Sequence, residues 1–441
     1  MSKIQNIEAM QILDSRGLPT VEVILETDKT KSNAKVPSGA STGEREALEL
    51  RDNDLDKFNG KGVLKAVENV QTAIKNAVSG MDVFDQKGVD NKLIGLDTSP
   101  QKNKGDIGSN ATLGVSLAVA RAAAQEKGVE LFQHLNPENP NPCVLPVPLM
   151  NILNGGKHAK SSNIELQEFM IAPAGFDSYS EALRAGVEIY QKLKEILKGA
   201  AVGDEGGFAP ALTTNEDALE LIKKAVGETK YKFGEQIFIA LDPAASEFYD
   251  KDIGKYRLKI KGKLQEVTSK ELKEFYESLI EPYHIISIED GFDQNDWAGW
   301  IDFTKANGKK IQIIGDDLFV TNVKYLKRGI EEGAANAILI KLNQIGTLSE
   351  TIETMDMAKK AGMKCVISHR SGETADTTIA DLAVAFETGQ IKTGAPARSE
   401  RTEKYNRLLH IEKILGEKAV YKGLNSFKYA APQSGAQAHI K

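Results

Sequence analysis

The chain has 441 residues, of which 41% are apolar and 27% charged, and it carries a formal net charge of −6. Enough apolar side chains are present to build a sizeable core, which excludes a largely disordered chain. The mildly acidic balance makes the chain a poor candidate for a general binder of nucleic acid or anionic membranes, since both favour basic surfaces; an anionic ligand would need a local basic pocket or a metal ion.

The two cysteines, Cys143 and Cys365, share no CxxC spacing, so neither a disulfide framework nor a cysteine-built zinc site is expected. Residues 1–8 hold no apolar run of signal-peptide length, and no stretch reaches the ~18 apolar residues of a membrane span. A soluble cytoplasmic chain is the expectation.

The first third reads as α+β. Val21-Glu22-Val23-Ile24-Leu25 has the β-branched, partly alternating pattern of a strand. Pro37-Ser38-Gly39-Ala40-Ser41-Thr42-Gly43 is too rich in Gly, Ser and Pro to be anything but loop. Val63, Val67, Val70 and Ile74 recur at helical spacing, and residues 113–127 form a more buried helix for which Gly128 supplies a C-cap. Three prolines within residues 136–142 mark a linker. The boundaries this gives are a capping domain at 1–136, carrying the loop at 38–43, and a second domain at 143–441.

In the second domain short apolar runs end abruptly in polar residues and give way to helical stretches. The runs end at Asp242, Glu289, Asp316, Lys341, His369 and Lys392, every 23 to 28 residues after a longer first gap of 47. That spacing approaches the ~30 residues of a βαβ unit, and the long gap leaves room for a hairpin around residues 255–263. Such runs indicate a parallel sheet buried on both faces. Six chemically potent run-ends favour a closed (β/α)8-type barrel, whose mouth gathers the strand ends, over an open sheet with one crevice. The fold expected is therefore α/β, a barrel with a smaller N-terminal α+β cap.

Asp242, Glu289 and Asp316 would repel one another without a cation between them, and three oxygen donors suit Mg²⁺. Each alone could instead pair with Lys or Arg, or cap the next helix. Lys341 ends an apolar run, where burial would lower its pKa and make it a general base; a carboxylate-paired structural lysine is the plainer alternative. Lys392, Arg370 and His369 add positive charge suited to a substrate bearing carboxylate and phosphate. Gly203-Asp204-Glu205-Gly206-Gly207-Phe208-Ala209-Pro210 could carry an acid at Glu205 or be a turn. Asn154-Gly155-Gly156-Lys157-His158 and Gln167-Glu168 are equally open, and residues 39–43 lack P-loop spacing.

Taken together, Asp14-Ser15-Arg16-Gly17, Ser38-Gly39-Ala40-Ser41-Thr42-Gly43, Gln167-Glu168-Phe169-Met170, residues 203–210, Ile288-Glu289-Asp290, Gly315-Asp316-Asp317-Leu318, residues 340–347, Ser368-His369-Arg370-Ser371-Gly372-Glu373-Thr374 and residues 391–401 resemble the enolase family over essentially the whole chain. The resemblance implies a barrel with irregular first units and reversible dehydration of 2-phospho-D-glycerate to phosphoenolpyruvate, a carbon–oxygen lyase reaction of glycolysis and gluconeogenesis. It implies two Mg²⁺ per site, one held by Asp242, Glu289 and Asp316 and a second contacted by Ser41; superfamily sites pair a Lys or His base with such ions. It implies Lys341 as the C2 base and Glu205 as the acid, with Glu168 beside it and Gln167 among the substrate contacts. Arg370 and Ser371 resemble the phosphate contacts, Lys392 the carboxylate contact, and His158 and His369 line the site. A homodimer or homo-octamer is implied too.

Gly291 stands where the family pattern has proline, and the stretch from His158 to Glu168 is one residue longer than usual. Two rival readings remain. One is another superfamily enzyme, an acid-sugar dehydratase or racemase. The other is a plasminogen-binding role at the cell surface through the terminal Lys441, with Phe248-Tyr249-Asp250-Lys251 expected in an exposed segment.

Overall fold

The computed structural model describes residues 2–40, 42–159, 162–260 and 262–427; Ser41 and Lys441 lie outside them. The chain opens with an antiparallel sheet, β1 (Ile4–Leu13), β2 (Pro19–Thr27) and β3 (Lys31–Lys35), in that spatial order. Val21, Val23 and Leu25 fall on one face of β2 and are fully buried, as a period of two requires. That face packs on the helix formed by Ser109–Lys127, where a β-carbon on Gly114 would lie 2.6 Å from Val23 Cγ2. Glycine there lets helix and sheet approach. The helix ends as expected on Gly128, in the left-handed conformation at φ 65°. Val67, Val70 and Ile74 are buried on a helical stretch, residues 64–78, that contains one π-helical turn, and Val63 is buried at its N-cap.

The second domain is a closed eight-stranded barrel. Its strands are β4 (Val147–Asn154), β5 (Glu168–Pro173), β6 (Ile237–Asp242), β7 (Ile285–Glu289), β8 (Gln312–Gly315), β9 (Ala337–Ile340), β10 (Lys364–Ser368) and β11 (Gln390–Lys392). Alternate residues point inward, and Leu149, Met170, Ala172, Phe238, Ala240, Ile286, Ile314, Leu339 and Val366 fill the interior. The intervening residues, such as Ile239, Leu241, Ile288, Ile338 and Ile367, join the core beneath the surrounding helices. Burial on both faces is what makes the strands read as unbroken apolar runs. Thr214 with Asp217 and Thr268 with Glu271 form capping boxes that start two of the barrel helices. The hairpin expected near residue 260 is present, Lys255–Ile260 pairing antiparallel with Lys263–Val267.

One strand departs from the parallel sheet that the apolar runs suggest. β5 runs antiparallel to both β4 and β6. The link from β4 carries only the single helical turn Gly156–His158, and without a crossover helix the chain cannot return to start a parallel neighbour. The reversal puts the first residue of β5, Glu168, at the barrel mouth, opposite Asn154 and Asp242.

Candidate active site

Asp242 and Glu289 end their strands, Asp316, Lys341 and His369 follow theirs by one residue, and Lys392 ends β11. All therefore reach the mouth at the C-terminal end of the parallel strands. His158, Gln167, Glu168, Glu205, Asp242, Asp316, Lys341, His369, Arg370, Ser371 and Lys392 line a single cavity there, joined by Ala244, Asp290, Asp317 and Ser368. Glu289 lies just beneath its wall, 1% exposed.

The three carboxylates are split between two ammonium groups. Lys392 Nζ lies 2.7 Å from Asp242 Oδ2, 2.8 Å from Glu289 Oε1 and 3.3 Å from Glu168 Oε2. Asp316 Oδ2 instead accepts from Lys341 Nζ, while its Oδ1 accepts from Gln344 Nε2 at 2.8 Å. Burial pushes Glu289 well above the usual carboxylate range, and Asp242 and Asp316 add to this against Lys392. Glu289 Oε2 and Gln167 Oε1 are buried without a hydrogen bond among the described residues. An all-oxygen donor set with an unsatisfied carboxylate oxygen fits a hard divalent cation. A second trio, Asp290, Asp316 and Asp317, brings its oxygens within 4.8 Å of one another. Asp290 accepts there from the backbone N–H groups of Asp316 and Asp317, at 2.9 and 3.0 Å, and holds the turn after β8.

Lys341 departs from the expectation of a lowered pKa. Burial does work to lower it, but the Asp316 carboxylate beside it more than reverses that and raises it above the ordinary lysine range. With the charge of Asp316 shared elsewhere, burial, Arg370 and Lys392 still lower Lys341, and Glu289 opposes them.

Opposite tendencies mark the two glutamates. Burial pushes Glu168 well above its usual range, helped by the Glu205 charge and opposed by Lys392. Glu205 is also buried, yet His369, His158 and Arg401 outweigh that and hold it well below. Of the two, Glu168 therefore holds a proton the more readily. His369 Nε2 lies 3.3 Å from Glu205 Oε2, and Asn151 Nδ2 donates to the same oxygen at 3.2 Å. His158 Nδ1 is 3.8 Å from Glu168 Oε1.

On the remaining side, Arg370 forks onto Glu46 of the cap, with Nη1 2.9 Å from Oε2 and Nη2 3.2 Å from Oε1, and also donates to Asn343 Oδ1 at 2.8 Å. Ser371 Oγ accepts from the Ala40 N–H at 2.7 Å, and Ser38 and Gly372 exchange backbone hydrogen bonds of 2.7 and 2.8 Å. The base of the glycine-rich loop is thus stitched to the segment carrying Arg370 and Ser371. The sequence assigned no role to Glu46, nor to Asn343, Gln344 and Arg401, which fall within the family-like stretches but off the strand ends. A β-carbon on Gly291 would lie 3.3 Å from Ile288 Cγ2 and 3.5 Å from Tyr276 Cε2, a tight fit that a larger residue would take only if Ile288 gave way slightly. Residues 248–250 are half-buried, whereas Lys251 is exposed, its side chain pairing with Glu44 at 2.5 Å.

Among the described residues no helix is long and apolar enough to cross a membrane. Residues 4–135 match the family model for the enolase N-terminal domain, and residues 142–430 match that for the enolase C-terminal TIM barrel domain. With both matches in chain order across a capped eight-stranded barrel, the chain belongs to the enolase family, whose wider superfamily comprises Mg²⁺-using enzymes.

Proposed function

We propose that this chain catalyses the reversible dehydration of 2-phospho-D-glycerate to phosphoenolpyruvate, the glycolytic and gluconeogenic step, in the cytoplasm. The observation that carries this reading is one cavity in which Lys341, the Glu168 and Glu205 carboxyls and the Arg370–Ser371 pair meet. Asp242, Glu289 and Asp316 would hold one Mg²⁺ and Ser41 would contact a second. Bound there, the ions supply fixed positive charge where the substrate carboxylate gains negative charge.

Lys341 Nζ takes the C2 proton as the C2–H bond breaks and its electron pair moves toward the carboxylate. That pair returns to form C2=C3 as the C3–O bond breaks. The Glu168–Glu205 pair gives its proton to the departing hydroxyl through Glu205, and water leaves. Lys392 exchanges carboxylate contacts within the protein for the substrate carboxylate. Arg370 exchanges Glu46 for the phosphate, with Ser371 beside it, and its fork suits that bidentate contact. His158 and His369 wall the C3 side.

The test is to supply 2-phosphoglycerate with Mg²⁺ and follow the ultraviolet absorbance of the enol product. Its appearance supports the reading. Silence from folded, Mg²⁺-loaded protein overturns it, and turnover of an acid sugar instead would assign another superfamily reaction. The exposed apolar side chains Met10, Leu13, Leu55, Phe58 and Leu64 of the cap support a homo-oligomer, a dimer at least. Light scattering on the purified chain tests this, and a monomer would refute it.

A further inference from the structure

Arg401 does not line the cavity. It belongs to the helix Ser399–Leu415 that follows the last barrel strand, and its side chain is fully buried. Its Nη1 lies 2.6 Å from His369 Nδ1 and donates to the Arg370 carbonyl at 2.7 Å. Its Nη2 donates to the carbonyls of Ser371 at 2.6 Å and Asp204 at 3.1 Å. One guanidinium therefore ties together the segments that carry Glu205, His369 and the Arg370–Ser371 pair.

A guanidinium has five donors and no acceptor. Nδ1 of His369 must then present its lone pair, and a neutral ring keeps its proton on Nε2, the atom that faces Glu205 Oε2. We propose that Arg401 is a positioning residue that fixes His369 as the Nε2–H tautomer, so that His369 donates toward Glu205 and keeps that carboxyl oriented and ionised until the pair's proton is needed. This rests on the acid role proposed for the Glu168–Glu205 pair. Burial pushes His369 down to about 4, with Arg401 acting in the same direction and Glu205 and Glu373 opposing, which agrees with a neutral ring. The backbone of His369 is held as well, its main-chain N–H donating to the Lys392 carbonyl at 2.9 Å.

The experiment is nitrogen NMR of the full chain carrying ¹⁵N-histidine, which separates a protonated ring nitrogen from one that accepts. The wild type should show His369 as a single tautomer protonated at Nε2. Arg401→Met should give mixed tautomers, move protonation of the ring up by about one unit or more toward the ordinary ~6.5, and lower kcat by at least about 10-fold. Arg401→Lys keeps a donor for Nδ1 and should retain the tautomer. Tyr405→Phe, which alters the same helix by deleting a hydrogen bond to the Gly394 carbonyl, should also leave it unchanged. A wild-type proton on Nδ1, or an Arg401→Met protein with the wild-type tautomer, overturns the proposal. Should Arg401→Met fail to fold, the wild-type spectrum and Arg401→Lys still decide. The tautomer is read without turnover, so a silent enol assay would refute the proposed reaction and not this assignment.

Discussion

Lys341 Nζ hydrogen-bonds Asp316 Oδ2 across two neighbouring barrel strands, so the proposed base and a proposed metal ligand offset each other's charge. The two roles can be separated by mutation. Lys341→Ala should lower kcat by about 10²–10⁴-fold, the span of general-base catalysis. It should leave Mg²⁺ affinity intact or tighter, because Asp316 loses a competing cation. Calorimetric Mg²⁺ titration beside the enol assay checks this; equal losses of affinity and turnover would contradict the role of base.

Asp316→Asn should behave differently. It keeps the shape and the hydrogen bond from Gln344 but removes charge that both Lys341 and a divalent ion use. Mg²⁺ affinity and turnover should fall together, by at least about 10-fold in each, as expected when a hard oxygen ligand is neutralised. A variant with the wild-type Mg²⁺ dependence would remove Asp316 from the ligand set.

Lys392 is the counter-charge for Asp242, Glu289 and Glu168, and its side chain is 3% exposed. Lys392→Met leaves those carboxylates facing one another in a buried site. Breaking a buried ion pair in this way costs about 3–5 kcal/mol. Thermal unfolding should show a lower midpoint in chelator and a larger upward shift on adding Mg²⁺ than in the wild type, since a ligand bound only by the folded state stabilises it. An Mg²⁺ shift no larger than that of the wild type would show that Lys392 is not holding these charges.

The parts of this site legible in sequence are the ones that strand periodicity exposes. Burial on both faces makes each strand an apolar run, so Asp242, Glu289, Asp316, Lys341, His369 and Lys392 stand out as run-ends that share a mouth. Glu168 begins its run, and parallel-barrel logic would send it to the opposite end. Only the reversal of β5, set by a link without a crossover helix, brings it beside Asp242. Glu205 sits in a loop whose glycines read locally as a turn, and only the family resemblance singled it out. The raised pKa of Lys341 depends on which carboxylate lies across the cavity, which no local pattern encodes. Arg401 did leave a trace. Arg401, Lys404, Tyr405, Leu408 and Ile411 form the buried stripe of one helix, and two cations on an otherwise apolar stripe signal a charged group with work inside the protein.

The neutral His369 makes stability depend on pH with a definite sign. Its folded pKa is about 4, against ~6.5 in the unfolded chain. Above ~6.5 neither state binds the proton and the contribution to stability is fully present. As pH falls through that value the unfolded chain gains a proton that the folded site refuses, and stability declines until the folded pKa is reached. The difference amounts to about 3 kcal/mol. Melting curves from pH 7 down to pH 5 should therefore fall less steeply for His369→Gln than for the wild type, and identical slopes would mean that the folded site does not exclude the proton.

Gly39 makes a prediction about substrate affinity through space alone. A β-carbon at this position would fall 2.0 Å from Arg370 Nη2 and 2.7 Å from its Cζ, so the loop lies directly on the guanidinium that would bind phosphate. The neighbouring residues cannot yield easily, because Ser38 is bonded to Gly372 and the Ala40 N–H to Ser371. Gly39→Ala must therefore move either the loop or the Arg370 fork. A displaced fork loses part of a charge-assisted bidentate contact, so KM for the phosphorylated substrate should rise by about 10-fold or more. Overall stability should change little, since the strain is relieved at the cavity edge rather than in the core. Steady-state kinetics beside a melting curve separates the two effects. A variant with unchanged KM would place the loop's contribution away from Arg370, and one that melts well below the wild type would make the glycine a folding requirement instead.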